Sequence, residues 1–265
     1  MSDITFNRPG ARRPAPKVLD PLIQWATGLN TNDRRIYSGW LCEIGRSEAL
    51  DDAMTDAGFQ QVTIKHGSGN VVTHWAMPSL DAFVVCQGVQ AIHEMHGGER
   101  YGIAFGWTSR QQNGRPQSIL RARVFVRELV AVGYMEPLML TLKGTVTGDF
   151  IGALTQQYAV LEAVDAARSR KGKPVMNPPF YAVAIPLTTG QDVTRGSNGA
   201  TKEITPVVAN VPNPVTDAYI LERWVGKHPG LLAKIEGMLD TTVAWSVSTS
   251  AQIGIGESEG NGNSD

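Results

Sequence analysis

The chain has 265 residues, is 42% hydrophobic and 18% charged, and carries a formal net charge of −1. These values read as one large globular domain or a domain with extensions. No apolar run approaches the roughly 20 residues a membrane span needs, and Cys42 and Cys86 alone are too few for a disulfide framework, which points to a reducing, cytoplasmic setting.

The charge is unevenly spread. Residues 1 to 35 hold Arg8, Arg12, Arg13, Lys17, Arg34 and Arg35 against three aspartates, and residues 100 to 127 hold six arginines and no acid. RSRKGK at 168–173 adds four positives, whereas the last eleven residues, IGESEGNGNSD, carry only negative charge. Local basic stretches can make a positive groove in a neutral protein, because the surface field follows the nearest charges.

In chain order, MSDITFNRPGARRPAPK has no apolar core behind its charges, so it reads as no secretory signal. Residues 1–35 are expected to form a basic Pro/Arg-rich arm. A β-rich globular domain is expected over 36–245. Residues 61–66 and 71–77 flank GSGN, a hairpin signal, and 82–87 is a short apolar strand. Strands follow at 101–108, 120–126 and 138–143. Phe150, Ile151, Leu154, Tyr158, Leu161 and Val164 recur at helical spacing, which predicts a helix over 147–168 capped by Thr147. Further strands are expected at 180–187 and 204–209, joined by a long Gly/Ser/Thr loop. Asn213 and Pro214 open a short helix ended by Gly226, and Pro229 opens a second, which runs to about Asp240. Residues 246–265 lose all aromatics and read as a disordered acidic tail.

The order β-β-β-α-β-β over 101–209 is that of an OB-fold, a small Greek-key barrel that commonly binds oligonucleotides or oligosaccharides. The expected fold class is therefore α+β and β-rich: an OB-like barrel with an N-terminal β extension and C-terminal helices.

Asn113-Gly114 favours a two-residue type I′ turn. That turn sets Trp107 opposite Leu120, Phe105 opposite Ala122, Ile103 opposite Val124 and Tyr101 opposite Val126, an apolar face. The other face then sets Arg121 beside Gly106, Arg123 beside Ala104 and Phe125 beside Gly102, with Arg127 following. A lane of small residues bordered by arginines and one aromatic suits single-stranded nucleic acid: guanidinium groups pair with phosphates and an aromatic ring stacks on bases. Arg110 and Arg115 from the 109–117 loop, Arg195 and Lys202 from the 188–202 loop, and Lys143 extend the basic surface. Trp107 joins it if the register slips by one residue. The alternative is that these arginines snorkel over the sheet or pair with acids such as Glu43 or Asp51.

The element order, the basic-aromatic strands and the acidic tail ESEGNGNSD resemble the OB-fold single-stranded DNA-binding proteins of bacteria and phages. In that family the tail recruits replication and repair proteins through a short hydrophobic tip and competes with DNA for the groove. This chain ends Asn263-Ser264-Asp265 and lacks the tip.

Other constellations carry less. His93 and His96 share a helix face, but the spacing is one residue short of the zincin pattern and no third ligand is marked. KGTVTG at 143–148 lacks the phosphate-loop order, although its helix start could offer N–H groups to a phosphate. Cys86 with His74 or His93 would make a nucleophile and base, yet its FVVC setting reads as a buried thiol. Trp40, Trp75, Trp224 and Trp245 read as packing residues.

The sequence thus leads to a non-enzymatic, sequence-tolerant single-stranded DNA-binding protein of replication, recombination or repair, without cofactor or metal. RNA as a ligand, homo-oligomerisation and a tail-bound partner stay open; no membrane is involved. The second expectation is a structural or assembly protein of a phage or mobile element, using its arm and β domain for oligomer contacts.

Overall fold

The computed structural model describes residues 20–28, 37–65, 70–89, 101–107, 117–197 and 200–255. The fold is α+β and strand-rich, with helices at the C-terminus. Its strands are β1 (Leu22–Thr27), β2 (Ser38–Glu43), β3 (Gln60–Lys65), β4 (Val71–Met77), β5 (Ser79–Val84), β6 (Ile103–Trp107), β7 (Ser118–Val126), β8 (Leu138–Lys143), β9 (Ile185–Thr189), β10 (Val193–Ser197), β11 (Ala200–Ile204) and β12 (Val207–Ala209). The helices are α1 (Glu48–Asp56), α2 (Arg127–Ala131), α3 (Val146–Arg170), α4 (Asp217–Arg223) and α5 (Pro229–Ile255).

Ten strands form one curled sheet in the order β12-β9-β5-β7-β8-β1-β2-β4-β3, and β6 also pairs with β7. β7 is the pivot. Residues 118–122 pair with β6 and residues 124–126 pair with β5, so β5 and β6 lie end to end along one side of it. β8 lines the other side, pairing with residues 119–124. The 101–209 segment was expected to close on itself. Instead β9 joins the sheet through β5, and β8 joins β1 in parallel, so strands from outside the segment complete its pairings. β10 and β11 form a separate two-stranded ribbon where the 188–202 loop was expected, running on to Ile204.

Paired residues share a face of the sheet. On the first face, Leu120, Ala122, Val124 and Val126 join Ile103, Phe105, Leu138, Leu140 and Leu142. They pack against Phe150, Leu154, Leu161 and Val164 of α3. The periodicity expected of this helix is thus the one it buries. Its N-cap is Thr145 rather than Thr147, whose hydroxyl donates to the Gly144 carbonyl at 2.7 Å. On the second face, Phe83, Val85 and Phe125 pack with Leu231 and Ile235 of α5 in a smaller core. A sheet hydrophobic on both sides needs a helical layer on each, and α3 and α5 supply them.

Several boundaries differ from the sequence reading. β1 lies inside the expected arm, held between β2 and β8. α1 was unforeseen in a region read as β; it buries Leu50, Ala53 and Met54 in the main core. Residues 180–182 form a 3-10 turn before β9 instead of a strand. α4 starts at Asp217, capped by Thr216, whose hydroxyl accepts from the Tyr219 N–H at 3.2 Å, so Asn213 and Pro214 lie outside it. Most consequential is α5. It continues to Ile255, through the first half of the expected tail.

Candidate functional site

The β6–β7 pairing sets Ile103 opposite Ala122, Ala104 opposite Arg121 and Phe105 opposite Leu120. This is two residues from the register the Asn-Gly turn predicted; residues 108–116 lie outside the described part. A shift of two keeps every side chain on its expected face. Arg121, Arg123 and Phe125 do share one face, but Arg121 sits beside Ala104 instead of Gly106.

That face is not open. The C-terminal half of α5 lies on β6, and a side chain on Gly106 would come within 2.6 Å of Ile253 Cγ2. Ser246 Oγ accepts from the Gly102 N–H at 3.2 Å, and Ser250 Oγ accepts from the Phe105 N–H at 3.0 Å. Helix hydroxyls thus take one N–H group within β6 and one just before it, a way of covering a strand edge.

The ten expected contact residues then separate. Phe125 is 0% exposed in the second core and is no stacking platform. Arg127 pairs with Asp81 at 2.8 Å, and Arg223 reaches the same carboxylate at 3.1 Å. Burial pushes the Asp81 carboxyl up, against the downward pull of Arg223 and Arg127. Arg195 forks onto Asp149 at 2.9 and 2.6 Å, which ties the β10–β11 ribbon to the first turn of α3. Lys202 stands opposite Arg195 in that ribbon. Trp107 is 49% exposed at the end of β6, edge-on to Phe105 on the first face. Lys143 is exposed at the end of β8, opposite Ile119. Arg110 and Arg115 lie outside the described residues, as do His93 and His96. The acids nearest these arginines are Asp20, Asp81 and Asp149, with Glu128 and Glu222 farther out on Arg127, while Glu43 and Asp51 serve Arg46 and Trp75.

Arg121 and Arg123 remain, and the structure puts them in a cleft of about 490 Å3 between β7–β8 and α5. Asp20 and Met139 line the sheet side; Trp245, Ser248, Thr249 and Gln252 line the helix side. Arg123 donates to Asp20 at 2.8 Å and to Thr242 Oγ1 at 3.3 Å, and lies 5.1 Å from the centroid of the Trp245 ring. Its charge is largely matched. Arg121 has no hydrogen-bond or ion-pair partner among the described residues, and its Nε is buried. Directly across on β8, the Thr141 hydroxyl is also buried and unsatisfied. Buried polar groups are normally paired, so two neighbouring orphans mark a place where a ligand or water completes the bonding. A guanidinium and a hydroxyl suit an oxyanion.

The chain matches no protein-family model, no curated protein and no solved structure. The cleft's chemistry therefore rests on its residues alone. Trp245, Ser248 and Gln252 escape a sequence reading because they lie in or beside the stretch read as tail. Trp245 stands out in the sequence as an aromatic, but only the helix shows that it faces arginines.

Other expected sites resolve plainly. The Thr147 and Gly148 N–H groups donate to the Gly144 and Thr145 carbonyls, so that helix start holds no free N–H at those positions. Burial pushes the Cys86 thiol up to about 12, which suits an inert thiol rather than a nucleophile. Among the described residues no group of three His, Cys, Asp or Glu could hold a metal, and no helix is long and apolar enough to cross a membrane.

Proposed function

We propose that the protein binds single-stranded DNA non-enzymatically and with sequence tolerance, through the cleft between the sheet and α5 rather than over an open arginine lane. The observation that carries this reading is Arg121: a guanidinium without a partner among the described residues, half-buried in a cleft whose far wall holds a tryptophan. Arg121 and Thr141 take a phosphate, and Trp245, held by Arg123, offers its ring to a base. The volume lies within the roughly 300–1,000 Å3 of small-ligand sites, so the cleft holds one or two nucleotides of a strand at a time. The OB-like barrel is not needed for this reading, because β7 and β8 with α5 line the cleft. Oligo-dT should quench the protein's tryptophan fluorescence, and Trp245→Phe should abolish most of that quenching. Quenching that survives the substitution would place the bases elsewhere.

A role in assembly has its own observation. Among the described residues β3 ends the sheet with no further strand beside it, and Val71 and Val72, paired with Lys65 and Ile64 in the β3–β4 hairpin, are exposed. An unpaired edge beside exposed valines is a template for strand pairing between copies. Size-exclusion mass with and without residues 1–18 separates this reading from the first when set beside the oligonucleotide titration.

A further inference from the structure

We propose that the corner formed by the C-terminal end of α3, the loop after it and α4 docks an acidic peptide segment of a partner protein that carries large apolar side chains. A groove of about 230 Å3 opens there, floored by Val164, Ala167, Ile220 and Trp224. On its lip Leu221 is 58% exposed and Met176 is 38% exposed, and Val175, next in the chain to Met176, is 56% exposed. Large apolar side chains grouped in the open, rimmed by polar ones, mark an interaction surface.

The rim is basic. Arg168, Lys171 and Lys173 line the groove, and Arg170 stands beside them in sequence. Among the described residues one carboxylate, Asp217, pairs with these four cations, and a second on α3, Asp165, is engaged by the loop backbone. Asp217 binds Lys171 at 2.8 Å and Arg170 at 3.4 Å, and chiefly Lys171 holds its carboxyl below the ordinary value. Asp165 accepts the Met176 and Asn177 N–H groups at 2.8 and 3.2 Å. Arg168 donates to the neutral Pro174 carbonyl at 3.0 Å, and Lys173 has no ion-pair partner among the described residues. Positive charge is left over.

Cations gather at helix C-termini for their own sake, which accounts for Arg168 and Arg170. It does not account for three exposed apolar side chains on the same corner. Asp165 and Arg168 also latch the 173–177 loop back onto α3, so the groove is formed before anything enters it. A preformed groove spares a ligand part of the ordering cost of binding. Carboxylates on the incoming peptide meet Lys173 and Arg168, and its apolar side chains cover Leu221, Met176 and Trp224. The groove belongs to the α3 side of the sheet and the cleft to the α5 side, so this inference does not rest on DNA binding.

The test is fluorescence anisotropy with a labelled short peptide made only of Asp, Glu, Leu and Phe. One control peptide has Lys in place of the acids, and a second has Gly in place of Leu and Phe. The acidic apolar peptide should bind at micromolar protein and the controls should not. Leu221→Asp and Lys173→Glu, both surface changes whose folding is checked by thermal melting, should each weaken binding about tenfold or more. No binding by the first peptide, equal binding by the glycine control, or unchanged binding by both variants would overturn the proposal. So would loss of oligo-dT binding in Lys173→Glu, which would make the corner a nucleic-acid surface.

Discussion

Ile253 occupies the space that a side chain on Gly106 would need, with only 2.6 Å between its Cγ2 and the position a Cβ on Gly106 would take. The glycine lets α5 approach β6 closely, as glycine inside a strand often does. Gly106→Ala should therefore push the end of α5 outward and destabilise the fold by about 1–3 kcal/mol. Hydrogen exchange should show the loss of protection concentrated in residues 246–255. A uniform loss along the chain would mean that the helix end is not a separate contact.

Ser246 tests the other half of that contact. Its hydroxyl accepts from the buried Gly102 N–H. Ser246→Ala keeps a good helix former but strands that donor, at a cost of about 1–3 kcal/mol. A urea unfolding midpoint equal to that of the parent would show that the strand edge finds another acceptor.

Asp81 joins three elements, because its carboxylate receives both Arg127 and Arg223. Asp81→Asn removes the charge and leaves two partly buried guanidinium groups facing each other. Breaking a buried pair from one side costs about 3–5 kcal/mol. The lower end is expected, since Glu222 and Glu128 stay within 3.7 and 3.9 Å of Arg127. Chemical denaturation of the variant gives the value; a change within ordinary surface scatter would contradict the network's role.

Burial pushes five acids up to about 12: Cys42 and Cys86 from 9.0, and Tyr37, Tyr134 and Tyr219 from 10.0. The folded state holds these protons more tightly than the unfolded chain does. Their contribution is fully present below pH 9 and is lost as pH rises towards 12. The urea midpoint should fall through that window, and native Cys42 and Cys86 should resist thiol reagents at about pH 8 until the protein unfolds. Rapid labelling of the folded protein would show that the thiols are accessible.

Much of the fold was legible where one residue pattern served one face. Strands β4 and β8 and helix α3 appear close to where alternation or helical spacing places them, because their apolar sets are buried in the main core. The face of Arg121 and Arg123 was legible for the same reason. The acids that the basic face meets were not. Asp20 and Asp81 reach Arg123 and Arg127 only through the β1–β8 and β5–β7 pairings, which join segments far apart in sequence. The long α5 was hidden by its own composition. TTVAWSVSTS is rich in β-branched residues and serine, which are weak helix formers. The helix persists there because its hydroxyls bond backward, as Ser246 does to the Val243 carbonyl at 2.8 Å, or sideways to β6. Composition alone cannot separate such a helix from a loop.

Arg121 as the phosphate contact can be tested by one titration: anisotropy of a labelled oligo-dT at two salt concentrations, with the parent protein and Arg121→Ala. Binding by the parent should be salt-sensitive, because neutralised phosphates release counterions. Arg121→Ala should weaken it about tenfold or more and flatten its salt dependence, with no loss of stability, since Arg121 has no partner to lose among the described residues. No salt-sensitive binding by the parent, or equal binding by Arg121→Ala, would contradict that role for Arg121.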